Sequence, residues 1–230
     1  MRSLRFARRC RRAVMLLFAL SACGCAYLSK QSVVGACRTT LDSPIRNFCS
    51  MRPNTLWRGA RPDKHGAAWL IQHGVRTIVN LELVLGDKPA FSGTAVASTH
   101  HYEAGYFRVR DWEPLHLFAP SIVDDHVAHF LAIVGQQPSP IYVHCRYGID
   151  RTGVMVAAYR IFVEGESAEQ AIKEMRRYHG AFFAADAKYI RGLSPARRAA
   201  IRHKITQWTP KLKSDGRIVC QNGTCGVADR

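Results

Sequence analysis

The only stretch of this 230-residue chain apolar enough to suggest a membrane span is AVMLLFAL at 13–20, and it is eight residues long. A helix that crosses a bilayer needs about 20 such residues, so a multi-span membrane protein is excluded. There is no Cys-x-x-Cys pair and no Cys/His cluster at zinc spacing, so no structural metal and no other cofactor is expected. Repeats and low-complexity tracts are missing as well, which removes solenoids and fibrous assemblies. Acid is scarce: 17 Asp+Glu stand against 33 Lys+Arg, a formal charge of +16. What is plentiful is apolar side chain, 47% of the chain, too much for a disordered polypeptide and enough for one ordinary domain. The excess of base favours anionic partners in general. The first 22 residues alone hold six arginines and no acid, and without them 27 basic residues face 17 acidic ones, +10 over 208 residues. Aromatics do not interleave with the arginines at 176, 177, 197, 198 and 202, so these read as a solvated helix face and no nucleic-acid partner is expected.

The N-terminus reads as an address. MRSLRFARRCRR is a positively charged lead, AVMLLFAL a short apolar core, and Leu20-Ser21-Ala22-Cys23 follows directly. This resembles the bacterial lipobox, which implies a signal peptide at 1–22 and lipidation of Cys23. The resemblance further implies export and a membrane partner through the lipid anchor. Gly24 after the cysteine points to the outer membrane, facing the periplasm. An exported chain uses cysteines oxidatively. Cys220 and Cys225 flank QNGT, and Asn-Gly is a strong hairpin signal, so a local disulfide is expected there. Cys37 with Cys49 is a second expected pair, and Cys25 is a spare thiol.

Residues 23–53 read as linker and arm, 54–208 as the main domain, and 209–230 as a tail carrying the Cys220–Cys225 disulfide. Within the domain, LWRGARP at 56–62 reads as a short strand. DKHGAAWLIQHG reads as a helix capped by Asp63 and stopped at Gly74. VRTIVNLEL is a buried strand and HYEAGYFRV another. APSIVDDHVAHFLAIVGQ at 119–136 is a helix with Pro120 in its first turn, SPIYVHC a central strand, and helical patterns run from Thr152 to Trp208. Strand–helix–strand followed by helices implies an α/β domain with a central mixed sheet flanked by helices. His126 and His129, three apart on one helix with no third ligand, read as incidental.

The junction of the central strand and the next helix reads HCRYGIDRTG, His144 to Gly153. A loop that leaves a strand and opens a helix turns backbone N–H groups inward at the positive end of a helix dipole, which makes a phosphate cradle. Gly148 can take a positive φ in the loop, and Gly153 allows close packing in the first turn. Cys145 at the start of the loop lies in a field that favours its thiolate. Arg151, six positions on, offers a planar fork for two phosphate oxygens.

Six positions, His144, Cys145, Gly148, Arg151, Thr152 and Gly153, resemble the signature of the cysteine-dependent protein tyrosine and dual-specificity phosphatases, over roughly residues 54–192. The resemblance implies a dual-specificity-phosphatase-like fold with the phosphate loop between a central strand and the following helix. It implies a phosphomonoester hydrolase that forms a thiophosphate on Cys145. Arg151 would stabilise the transferring group, and Thr152 would support the thiolate. Arg146, Tyr147, Gly148, Ile149, Asp150 and Gly153 would line the substrate, and His144 would orient the loop. The acid belongs on a loop some thirty-odd residues earlier; Asp111, 34 before Cys145 in DWEP, is the first choice and Glu113 the second. The partner is a phosphorylated protein or a small phosphomonoester. Two other readings stay open: a phosphoinositide or inositol-polyphosphate phosphatase on the same scaffold, and a catalytically silent phosphate-binding module. Glu82 in NLEL stands where many bacterial relatives carry Arg, and Ile149 stands where polyphosphate-directed members tend to carry a second base.

Overall fold

The computed structural model of the chain describes residues 42–97 and 101–229. The expected signal peptide, lipidated Cys23, Cys25 and Cys37 lie outside these residues. Seven strands form one mixed sheet: β1 (Cys49–Arg52), β2 (Leu56–Ala60), β3 (Thr77–Glu82), β4 (Tyr102–Asp111), β5 (Ile141–Cys145), β6 (Gly216–Gln221) and β7 (Thr224–Ala228). They run in the order β1-β2-β5-β3-β4-β6-β7. The four central strands are parallel, and the outer pairs are antiparallel. The parallel strands are buried on both faces, which is why IYVHC and TIVNLE are near-continuous buried runs.

Alternation divides the side chains between two cores. Leu56, Val79, Leu81, Phe107, Val109, Ile141, Val143 and Cys145 pack on one face. Helices α3 (Leu115–Phe118), α4 (Pro120–Gln136), α5 (Asp150–Phe162), α6 (Ala168–Arg176), α7 (Phe183–Arg191) and α8 (Pro195–Trp208) contribute to this layer. Ile78, Tyr106 and Tyr142 belong to the other core, with α1 (Lys64–Gln72), the short α2 (Lys88–Phe91) and the C-terminal hairpin. Helix α5 is buried nearly all round, because it lies between the sheet and the helices outside it. At about 1.5–3 kcal/mol for each large apolar side chain removed from water, this burial fixes the helix that opens at the phosphate loop.

Local signals placed the helix starts. The Asp63 side chain accepts from the Gly66 N–H, Ser167 and Gln170 form a reciprocal capping box, and the Ser194 side chain accepts from the Arg197 N–H. Two segments differ from expectation. The arm ends in β1, which pairs antiparallel with β2. The tail forms β6 and β7, and β6 extends the sheet along β4. The Asn222–Gly223 turn has φ of 51° and 78°, as a tight hairpin requires, and Cys220 and Cys225 face each other across it in a disulfide. A strand this short needs a neighbour before its pattern means anything, and β4 supplies it. Cys49 is disulfide-bonded, and the Cys37 half of the expected pair lies outside the described residues.

Candidate active site

The carboxyl ends of the parallel strands share one edge of the sheet: Ala60 pairs with Cys145, Asn80 with His144, and Glu82 with Asp111. Open α/β sheets bind ligands at such an edge. Cys145, the last residue of β5, is buried and is the one free cysteine among the described residues. It points toward the helix-rich core, while His144 points to the opposite face.

The loop after Cys145 is fixed from outside. Three successive carbonyls accept from donors behind it: Arg146 O from the Arg61 N–H at 3.4 Å, Tyr147 O from Asn47 Nδ2 at 2.9 Å, and Gly148 O from Arg58 Nη2 at 2.6 Å. A loop whose carbonyls are drawn outward in this way is left with N–H groups to offer an anion. Gly148 has φ +69°, and a Cβ there would stand 2.2 Å from the carbonyl carbon of Gly59, so no other residue fits without moving the backbone. Arg58 is fully buried, with its guanidinium 3.7 Å from the Tyr178 ring centroid. The other core holds a second support: His144 Nε2 makes an ion-pair contact of 2.9 Å with Asp87 Oδ2, and Asn80 and Tyr106 donate to Asp87 Oδ1 at 2.7 and 2.5 Å. Burial works to raise the Asp87 pKa, but His144 and these donors outweigh it and hold the carboxyl below its ordinary range.

Arg151 opens α5. Its Nε is 2.7 Å from Glu113 Oε1, and its Nη1 donates to Asp111 O at 3.5 Å. Burial would lower the Arg151 pKa; the negative charge of Cys145, then those of Glu113, Glu82 and Asp111, reverse this and raise it. Thr152 is fully buried, and its hydroxyl has no hydrogen-bond partner among the described residues. Arg146 is exposed and its guanidinium lies 5.2 Å from the Tyr147 ring centroid. Asp150 accepts from the Phe182 N–H at 3.0 Å. Burial, then the charge of Asp186, pushes its pKa up to about 6. Ile149 packs with Tyr178 and Tyr147 in a small separate cluster, and Gly153 is buried in the first turn of α5.

Asp111 ends β4 at the same edge, but its carboxylate is fully buried and fully engaged. Oδ2 accepts from His116 Nε2 at 2.9 Å, and Oδ1 accepts from His126 Nδ1 at 2.9 Å and from the Trp112 N–H at 3.0 Å. Burial tends to raise its pKa, yet the hydrogen bonds from His116 and His126 overcome this and hold it far below the carboxylate range. His116 also meets Asp186 Oδ1 through Nδ1 at 2.6 Å. Burial alone would neutralise it; the bonds to Asp111 and Asp186 push its pKa up to about 10 instead. Glu113, by contrast, is partly exposed and faces Arg151.

His126 therefore has a partner that its sequence context did not announce, while His129 stacks on Trp208 at 4.0 Å and takes no part. Asp124 and Asp125 bind Arg197 and Lys204 on α8, away from the site. Sequence reasoning missed Asn47, Arg58, Asp87, His116 and Asp186. The one available signal was Arg58, a charge inside a short apolar strand. No group of three or more Cys, His, Asp or Glu among the described residues is arranged to hold a metal ion.

A family model described as "DSP-PTPase phosphatase fused to NAD+ Kinase" matches residues 44–192. In sequence, the chain is 31% identical over 154 residues to the dual specificity protein phosphatase TpbA of Pseudomonas aeruginosa, which is 65% of this chain and 63% of that protein. It is 32% identical over 109 residues to a chloroplastic NAD kinase 2 of Arabidopsis thaliana, 47% of this chain and 11% of that protein. The chain thus spans less than two thirds of the length of these curated relatives. The crystal structure of P. aeruginosa TpbA has the same fold, with a TM-score of 0.54 at 24% identity over 75% of this chain and 98% of that one. A TpbA structure in complex with phosphotyrosine gives 0.53 at 22% identity over the same shares. Because the family match takes in well over half of the chain and contains the whole Cys145–Arg151 loop, the protein belongs to the DSP-PTPase phosphatase family.

Proposed function

We propose that the chain hydrolyses phosphomonoesters through a thiophosphate on Cys145, with phosphotyrosine-type peptides and small aryl phosphates as its substrate class. One observation carries the reading: Cys145 and Arg151 sit at the two ends of a loop in which three successive carbonyls are drawn outward. The phosphotyrosine bound by the structurally similar TpbA supports the aryl class.

In the first step the Cys145 thiolate forms a bond to phosphorus, the ester P–O bond breaks, and the leaving oxygen takes a proton from a carboxylic acid. In the second, water attacks phosphorus and gives its proton to the same carboxylate. The S–P bond then breaks, and inorganic phosphate leaves with the thiolate restored. Arg151 and the loop N–H groups stabilise the charge on the equatorial oxygens, and the Thr152 hydroxyl supports the departing thiolate. Asp111 is the assigned acid. In the conformation described it is at rest, since His116 and His126 must release it before it can carry a proton. Glu113 is the second reading, favoured by its partial exposure and its contact with Arg151.

We also assign the chain to export with a lipid on Cys23 at the outer membrane. This rests on the sequence at 1–24 and on the disulfide use at Cys49, Cys220 and Cys225. No helix among the described residues is long and apolar enough to cross a membrane. A Cys23→Ser variant expressed in a bacterial host should lose membrane fractionation; unchanged fractionation removes the anchor.

The activity test is turnover of phosphotyrosine peptide, phosphoserine peptide, phosphoinositides and inositol phosphates by the purified chain. Release of phosphate from the aryl esters at the highest kcat/KM is the expected result. Preferential release from the inositol phosphates would move the assignment to that class, and binding of vanadate without any turnover would make the chain a silent phosphate-binding module.

A further inference from the structure

The chain is strongly basic, yet the phosphate loop is ringed by acid. In the sheet, β2 and β3 flank β5 on opposite sides. Arg61, just past the end of β2, reaches Glu82, the last residue of β3, at 3.4 Å. That ion pair crosses the carboxyl end of the strand that finishes in Cys145. The Glu82 side chain is 5% exposed; one oxygen faces Arg61, and Oε1 is buried with no hydrogen-bond partner among the described residues. Glu113 occupies Arg151 Nε from a third direction. Two of the cations at this edge, Arg61 and Arg151, are therefore engaged by carboxylates. Arg58 stands behind the loop, turned to Gly148 O. Arg146 is the remaining side-chain cation of the loop.

We infer that Glu82 is a specificity-determining residue, and that it selects a singly phosphorylated group in neutral or basic surroundings over one flanked by further anions. The inference rests on the phosphatase reading above and names its substrate class more narrowly. A phosphate entering the loop is attracted by Arg151 and the loop N–H groups. A second phosphate or carboxylate beside it lies near the strand ends, where Glu82 has already taken up Arg61 and withholds that cation, and where the partly exposed Glu113 stands. Like charges brought together at a recognition site are costly. A substrate ammonium or guanidinium in that place meets instead the negative potential of Glu82 and of the partly exposed Glu113. The basic character of the rest of the chain does not bear on this choice, because exposed charges beyond about 8–10 Å are screened in physiological salt.

The test uses the full chain and two phosphotyrosine peptides of equal length, one flanked by lysines and one by aspartates. The wild type is expected to show a kcat/KM ratio favouring the lysine peptide by on the order of tenfold. Glu82→Gln should bring the ratio down several-fold, and Arg61→Gln, which leaves Glu82 uncompensated, should raise it. A wild-type ratio near one, a preference for the aspartate peptide, or a ratio unmoved in Glu82→Gln overturns the inference. If neither peptide turns over, the phosphatase reading fails separately, and binding then decides the specificity. Titration calorimetry with orthovanadate and with inositol hexakisphosphate should show Glu82→Gln gaining affinity for the second relative to the first. Equal changes for both anions overturn the inference there too.

Discussion

The loop that carries Cys145 and the segment that carries Asp111 leave β5 and β4 at one sheet edge, with β3 between them, and they are held in opposite ways. The loop is fixed through its backbone: three carbonyls are clamped from behind, and Gly148 lies against Gly59 where a Cβ would collide. The Asp111 segment is held through titratable side chains: His116, His126, Asp186, Glu113 and Arg151. A backbone cradle does not respond to pH and suits a group that must wait in one geometry for an anion. A network of charges can be loosened by one proton or one incoming phosphate, and it suits a group that must move.

The largest effect that would break this contrast is at the rigid side. Gly148→Ala drives a methyl into the Gly59 backbone at a positive φ, and is expected to cost roughly 10²-fold or more in kcat/KM, since a displacement near 1 Å is enough for that. Near-normal turnover in that variant would show that the cradle is softer than described. His116→Ala attacks the other side. It leaves Asp111 and Asp186 buried without their shared cation, and should cost about 3–5 kcal/mol of stability by denaturant unfolding. Vanadate should still bind the surviving cradle, and joint loss of binding and stability would deny that the two regions are held independently.

Acid and base titration sharpens the same point. The folded pKa of His116 is raised from 6.5 to about 10. Its contribution to stability is thus complete below pH 6.5 and is lost as pH rises toward 10. The Asp111 pKa is lowered from 3.8, so its contribution is present above that value and fades as pH falls below it. Stability should be greatest between these limits, and His116→Ala should flatten the alkaline limb. An alkaline limb unchanged in the variant removes His116 as its cause. The smallest effect concerns the acid itself: Asp111→Asn should slow aryl phosphates with poor leaving groups several-fold more than those with good ones. Equal loss on both, with the leaving-group dependence appearing in Glu113→Gln, would transfer the role to Glu113.

What could be read from the sequence follows the same division. Residues whose role is local were legible: Asp63 as a cap, Asn222–Gly223 as a turn, and His144 to Gly153 as a strand–loop–helix junction. The partners of Asp111 and of the loop carbonyls were not. Asp186 lies 70 residues from His116, and Arg58 lies 90 from Gly148. Only the packing of α7 and β2 against the site brings them together. A histidine in LHLF and an aspartate in FAADAKY carry no pattern that links them. The strands β1 and β6 escaped for a related reason, since each is a strand only by pairing with a neighbour that sequence periodicity does not name.

The most direct test of the central claim is mass spectrometry of the chain quenched during turnover of a small aryl phosphate. The account predicts one phosphoryl group on the peptide that contains Cys145, bound to sulfur, and no such adduct or turnover in Cys145→Ser. Continued phosphate release by Cys145→Ser, or steady turnover with no phosphoryl on that sulfur, would contradict it.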